Sequence, residues 1–210
     1  MLSLDKTKSI DEVQKFIGDK PILTMLKMDG LTISVKYSEG KLVSAETRGN
    51  GTEGEDVTHN ALVFTNLPQT ISYRGDLVVD GEAIITYEDF EKINANLPEG
   101  EKYKNPRNLV SGSVRQLDSG IAAQRHIQFV AWKLVSGYDN NSFSERLNWL
   151  ETLGFTVVPR LDRFDERSIN FLKIIADKYS YPIDGLVVSF DDADYLESLG
   201  ATSHHLRGQL

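Results

Sequence analysis

The sequence predicts an α+β protein built on antiparallel sheets flanked by helices, and three observations carry that expectation. Leu31, Ile33, Val35 and Tyr37 alternate with Thr32, Ser34 and Lys36, the period of a half-buried strand. Ser38-Glu39-Gly40 then turns the chain into a second run, Lys41 to Thr47, completing an antiparallel hairpin. Further strands and helices follow without regular β-α-β alternation, which argues against a doubly wound parallel sheet. At 210 residues, 40% of them apolar, the chain has enough material to bury a core as one large domain or two small ones. It contains no internal repeat, low-complexity tract or Pro/Gly linker.

Taken in order, Ser9-Ile10-Asp11-Glu12 reads as a capping box, with Ile10, Val13, Phe16 and Ile17 on one helical face and Gly18 as the stop. The hairpin follows the tetrapeptide KMDG, positions 27 to 30. Arg48-Gly49-Asn50-Gly51-Thr52-Glu53-Gly54 is too rich in glycine for regular structure and predicts a loop. Leu77 to Ile85 predicts a strand interrupted by Asp80-Gly81-Glu82. Tyr87 to Leu97 fits a helix capped by Thr86, with Phe90, Ile93 and Leu97 inward. Asn105-Pro106 gives a helix start, an N-cap followed by proline at the first helical position. Ile127 to Val135 predicts a strand, Ser144 to Thr152 a helix ending at Gly154, and Phe155 to Val158 a strand. Asp165 to Tyr179 predicts a helix, Ile183 to Phe190 a strand, and Asp192 to Leu199 a short helix ended by Gly200.

Composition narrows the functional classes. No stretch approaches the ~18 consecutive apolar residues of a membrane span, and no basic-then-apolar leader precedes Leu4. Cysteine is absent, so neither a disulfide framework nor a thiolate metal site can form. A soluble, cytoplasmic protein is the expectation. The net charge of −8 argues against nonspecific nucleic-acid binding by the whole surface, but leaves room for a local basic patch.

Within this frame a few residues could carry chemistry. Lys27, at a strand end, could be desolvated and offered to an electrophile as a nucleophilic amine. K-x-D-G arises by chance in roughly one chain of this length in twenty-five, and its plain reading is a solvated lysine before an Asp29-Gly30 turn. Glu82 lies inside an otherwise apolar run; it either faces a ligand or cation or occupies the wet side of an edge strand. Arg48, Arg107 and Arg115 have the guanidinium forks that match phosphate oxygens, and each alone is equally an ordinary surface arginine. Trp132 is either core or a platform for a base. Asp184, before Gly185, could hold Mg²⁺ or water, or serve as a turn residue. His204 and His205 point to opposite faces of any strand and lack a clear third ligand, and His59 and His126 are isolated.

These segments together resemble the adenylation (nucleotidyltransferase) domain of bacterial-type NAD⁺-dependent DNA ligases. The likeness runs from MLSLDK through KMDGLTISVKY, TRGNGTEGEDVTHN, DGEAII, FEKIN, NPRNLVSGSVRQLD, FVAWKLV and IDGLVVSF to LGATS, almost the whole chain. It implies the fold shared by DNA ligases and mRNA capping enzymes, with residues 1–210 forming one adenylation domain. It also implies that Lys27 attacks the α-phosphate of NAD⁺, leaving a lysyl-AMP, with Mg²⁺ at the phosphate. AMP would then pass to a 5′-phosphate in nicked double-stranded DNA, where the neighbouring 3′-hydroxyl displaces it during replication and repair. Because an ordinary lysine amine is protonated at neutral pH, burial or nearby cations would have to free it.

The resemblance assigns Glu82 to the adenosine ribose, Trp132 to adenine, Arg48 and Arg115 to phosphates or ribose, Asp29 to ordering the nucleophile, and Asp184 to the reacting phosphate. Arg107 and Arg115 are the DNA-contact candidates. Met25 stands where the family pattern has an adenine-contacting glutamate, and Ser189 where it has lysine. On the same comparison the chain lacks the N-terminal nicotinamide-binding domain and a last motif beyond Leu210. Further ligase domains or a second subunit would complete it in a bacterial, or phage-infected bacterial, cytoplasm. The alternatives are an ATP-dependent polynucleotide ligase-like enzyme and a degenerate nucleotide-binding or assembly subunit without catalysis.

Overall fold

Two antiparallel sheets carry Lys27, Glu82 and Asp184, three of the candidate carboxylates and cations of this chain. The computed structural model describes residues 3–4, 7, 9–48, 54–200, 205–206 and 209–210. In chain order the strands are β1 (Ser3–Leu4), β2 (Ile22–Met28), β3 (Leu31–Ser38), β4 (Lys41–Thr47), β5 (Leu77–Ile84), β6 (Gln128–Ser136), β7 (Arg160–Leu161), β8 (Ile183–Phe190) and β9 (His205–Leu206). The helices are α1 (Ile10–Ile17), α2 (Thr58–Ala61), α3 (Tyr87–Ala95), α4 (Pro106–Val114), α5 (Ser119–Ala123), α6 (Phe143–Thr152), α7 (Glu166–Lys178) and α8 (Ala193–Leu199). One sheet has the order β4-β3-β5-β6 and the other β7-β2-β8. Every pair within these two sheets is antiparallel; the short β1-β9 pair is parallel. The expected α+β class with antiparallel sheets holds.

The predicted hairpin forms as β3 and β4, because the alternation puts Ile33, Val35 and Tyr37 on the core face, each at most 1% exposed. Three helix caps fall where the sequence places them. Ser9, Thr86 and Asn105 each accept a hydrogen bond from the backbone amide three residues on, and so does Asp165, which caps α7 where the sequence predicts its first helical residue. At α1 the cap is one-sided, since the Glu12 carboxylate accepts instead from Thr7 Oγ1, and Ile10 is exposed rather than inward. Helix α3 stops at Ala95, two residues short of Leu97. A second, smaller cluster joins Val13, Ile22, Val188 and Phe190, with the rings of Phe16 and Phe190 stacked 4.7 Å apart.

Two strand expectations need correction. Phe155 to Val158 is not a strand: its backbone pairs with β6 at Ala131, whose amide donates to Thr156 O and whose carbonyl accepts from Val158 N. Pro159, having no N–H, cannot extend the ladder, and the edge strand forms one residue later as β7. Conversely, Asp80-Gly81-Glu82 does not interrupt β5, which is continuous. Glycine fits there because a Cβ on Gly81 would lie 2.3 Å from the Phe129 ring, which is itself buried. The loop around 49–53 and His204 lie outside the described residues.

Gly81→Ala should therefore lower stability by about 3 kcal/mol through overpacking against Phe129. Gly100→Ala, whose Cβ would meet nothing within 4 Å, should shift it by less than about 0.5 kcal/mol. Thermal or urea unfolding of the two variants checks the contrast.

Candidate active site

The KMDG segment leaves β2 and enters β3, and three of its four residues reach a different element. Lys27 Nζ lies 3.0 Å from Asp184 Oδ2 of β8, with the two side chains 30% and 53% exposed. Asp29 Oδ1 accepts from Arg107 Nη1 of α4 at 2.9 Å. The Gly30 amide donates to Glu82 Oε1 of β5 at 3.3 Å. Gly30 is required by proximity, since a Cβ there would sit 2.0 Å from the Ala83 carbonyl oxygen. The turn thus lies directly against β5.

The first contact depends on a slip in register. Lys27 pairs with Gly185 but Met28 pairs with Ile183, so Asp184 is the extra residue of a bulge. In an unbroken ladder Asp184 would oppose Met28 and share its face, away from Lys27. The bulge takes it out of that alternation and lets its carboxylate meet the amine. A comparable slip places Trp132, because Asp80 pairs with Lys133 and Gly81 with Ala131. Trp132 is half-buried and packed against the main core.

Glu82 and Thr32 are cross-strand partners on β5 and β3. Thr32 Oγ1 donates to Glu82 Oε2 at 3.0 Å, so both carboxylate oxygens have donors. Burial pushes the Glu82 carboxyl up from 4.5 to about 7, against the lowering effect of those donors and of Arg107. The wet edge-strand reading of Glu82 is thereby set aside, since β5 is flanked on both sides by β3 and β6. Arg48 donates its backbone amide to Thr32 O, and its Nη1 lies 3.4 Å from Oδ2 of Asp80. That oxygen is buried and has no hydrogen-bond partner, so charge alone holds this pair.

Arg115 stands apart from this group, its Nε donating to Glu55 Oε2 at 2.5 Å and its Nη1 to Ser111 O. Lys27, Asp29, Glu82, Arg107 and Asp184 are thus linked around one turn, whereas Arg48, Arg115 and Trp132 stand on other elements outside those links. Sequence reasoning missed Thr32 and Asp80; Thr32 could have been found as the outward residue two positions after Gly30. Met25 is 4% exposed and Ser189 fully buried, the latter accepting from Gln209 Nε2. Among the described residues no three acidic or histidine side chains converge on a metal position. A cavity of about 290 Å³ lined by Leu161, Arg163, Arg167, Ser168 and Phe171 includes none of the candidate residues.

Comparison with known proteins identifies the family. Residues 1–208 match the family model described as the NAD-dependent DNA ligase adenylation domain. The DNA ligase of Lachnoclostridium phytofermentans is 49% identical over 210 residues, covering 97% of this chain and 32% of the relative. That of Ruminiclostridium cellulolyticum is 44% identical over 218 residues, covering 100% and 33%. The chain therefore spans about a third of the length of the curated relatives it matches. A chain from a structure-function study of Lig E DNA ligases overlays with TM-score 0.47 at 18% identity, covering 92% of this chain and 63% of that one. This overlay adds nothing to the fold read from the strands themselves.

The Glu82 carboxyl gives a signed expectation. Its folded value lies above the unfolded one, so its contribution to stability is present below about 4.5 and lost as pH rises through about 7. The loss is on the order of 3 kcal/mol. Glu82→Gln, in which Thr32 can turn its hydroxyl to accept, should remove that pH dependence and be the more stable protein at alkaline pH. Urea unfolding of both proteins across this range measures it.

Proposed function

The chain belongs to the NAD-dependent DNA ligase adenylation domain family, and on that footing we propose that it takes AMP from NAD⁺ onto Lys27. The observation that carries the reading is the Lys27–Asp184 contact in the β8 bulge, with Asp29 and Gly30 tied beside it to Arg107 and Glu82. An amine held at the joint of two sheets, with a carboxylate 3.0 Å away, has a defined position for attack. Its nitrogen forms a bond to the α-phosphorus while the bond from that phosphorus to nicotinamide mononucleotide breaks. The proton shed by the nitrogen has Asp184 Oδ2 as a near acceptor.

The remaining residues take supporting parts. Glu82 sits near the midpoint of its titration at neutral pH, so its carboxyl can donate to or accept from a ribose hydroxyl. Trp132, displaced from its ladder, offers a half-buried ring face to adenine. Arg48 and Arg115 have guanidinium groups partly open to solvent for phosphate or ribose. One carboxylate together with substrate phosphate oxygens is a usual ligand set for Mg²⁺, and Asp184 supplies that carboxylate. Mg²⁺ bound so would neutralise charge on the transferring phosphoryl group.

AMP then passes to the 5′-phosphate of nicked DNA, in replication and repair within a bacterial cytoplasm. Arg107 and Arg115 would contribute the DNA contacts. The segments that the relatives have beyond this third of their length would complete nicotinamide binding and nick sealing. No described helix is long and apolar enough to cross a membrane.

Met25 and Ser189 favour one rival reading, a subunit that binds nucleotide without reacting. Both positions, polar in the family pattern, are closed into the interior here. A lysine at 189 would have to displace Gln209 to reach a ligand. Intact-mass measurement after incubation with NAD⁺ and Mg²⁺ separates the readings. One AMP should add to the chain, slowly, and Lys27→Ala should abolish the adduct. Asp184→Asn should slow its formation about a hundredfold, by analogy with removing one charge-stabilising group from such a site. Binding with no adduct under any condition favours the non-catalytic subunit, and an adduct with ATP alone favours an ATP-dependent enzyme.

A further inference from the structure

Helix α7 shows solvent an apolar face that its own core does not use. Ser168, Leu172 and Ala176 turn inward, whereas Phe171 and Ile174 stay 50% and 63% exposed. At about 100° per residue, Arg167, Phe171, Ile174 and Lys178 fall within one stripe about 60° wide, at successive spacings of four, three and four. The acidic residues of the helix, Glu166 and Asp177, lie about a quarter turn away. Neither Arg167 nor Lys178 forms an ion pair among the described residues. Beside Phe171 opens the cavity of about 290 Å³, with Leu161, Arg163, Arg167 and Ser168 as its other walls. Its frame is fixed, since buried Thr24 donates to Arg163 O at 2.8 Å and Asp165 caps the helix.

We propose that this stripe docks an acidic amphipathic helix of a protein partner, whose apolar seam covers Phe171 and Ile174 and places one side chain in the cavity. The spacing of the stripe is that of a coiled-coil seam, so a second helix meets it with apolar residues at the same intervals. Carboxylates flanking that seam would face Arg167 and Lys178, which have no acidic partner of their own. Charge also decides against other occupants. A second copy packed antiparallel and centred on Phe171 and Ile174 would set Arg167 against Lys178 of the other copy. Packed parallel, each cation would meet its like. Duplex DNA would bring phosphates to the cations, but its polar backbone would lie over two apolar side chains and leave the cavity unfilled. With a net charge of −8 the rest of the surface repels an acidic helix, which confines it to this face. No residue of the stripe or cavity belongs to the candidate active site, so this contact does not depend on the chemistry at Lys27.

The test titrates the isotope-labelled 210-residue chain with a stapled helical peptide carrying leucine at heptad positions a and d and glutamate at e and g. A second peptide has lysine in place of each glutamate. Followed by NMR, the acidic peptide should shift the Ile174 and Leu161 methyls and the Phe171 ring. At low salt it should bind about tenfold more tightly than the lysine peptide. Phe171→Ser should weaken it about tenfold, the worth of burying half of a large apolar side chain. Arg167→Glu, which the positive end of α7 favours, should weaken the acidic peptide about tenfold and strengthen the lysine peptide, an exchange that loss of fold cannot produce. Both variants should keep the urea midpoint of the unsubstituted chain. An acidic peptide that moves none of these resonances at about millimolar concentration overturns the proposal, as do two peptides that bind equally well. Sedimentation of the chain alone as a dimer that Phe171→Ser dissociates would assign the face to a second copy and contradict the docking helix. A nicked duplex or anionic phospholipid vesicles that shift Ile174 where the acidic peptide does not would contradict it too.

Discussion

One irregular step in the β2–β8 ladder sets the geometry of the candidate site. Strand alternation is rigid: in perfect register a residue on β8 faces the same side as its partner on β2. Lys27 and Met28 point to opposite sides, and Met28 belongs to the buried core. The extra residue at Asp184 breaks that rule at one place, so an acidic side chain meets the amine without a charge being driven into the core. Gly185, with φ of 135°, follows in a conformation that side chains resist. The pairing at the site is thus a property of backbone register more than of any single side chain.

The opposing sheet contributes through burial. Glu82 lies on an interior strand, and the same desolvation that raises its carboxyl also strengthens its bonds to Gly30 and Thr32. Asp29 adds a raising effect and Arg107 a lowering one, and these two are themselves paired. The turn, the helix start at Asn105-Pro106 and the central strand are coupled electrostatically across a few residues. Substituting any one of them alters the charge seen by the others.

Much of the fold was legible because it follows local rules. The β3–β4 hairpin was visible in its period, and Ser9, Thr86 and Asn105 announced their helices by side chains that satisfy free amides. Non-local facts were hidden. Nothing near Asp184 or Trp132 signals a bulge, since a bulge is defined by its partner strand. Phe155 to Val158 has the composition of a strand, but Pro159 and a single available ladder position at Ala131 deny it one. In the site, Lys27, Asp29, Glu82 and Asp184 were picked out as candidates by type and position. The burial of Asp80, the Thr32 hydrogen bond and the Glu55 bond to Arg115 required knowledge of which strands and helices meet. Met25 and Ser189 stood out in the sequence as departures, and burial explains what they now do: both fill interior positions.

The most direct measurement is a crystal structure of this chain with AMP bound. The account requires the phosphate within bonding reach of Lys27 Nζ and beside Asp184, the ribose at Glu82 and the adenine against Trp132. AMP seated instead in the cavity lined by Leu161 and Phe171, or Lys27 and Trp132 too far apart to touch one nucleotide, would contradict it.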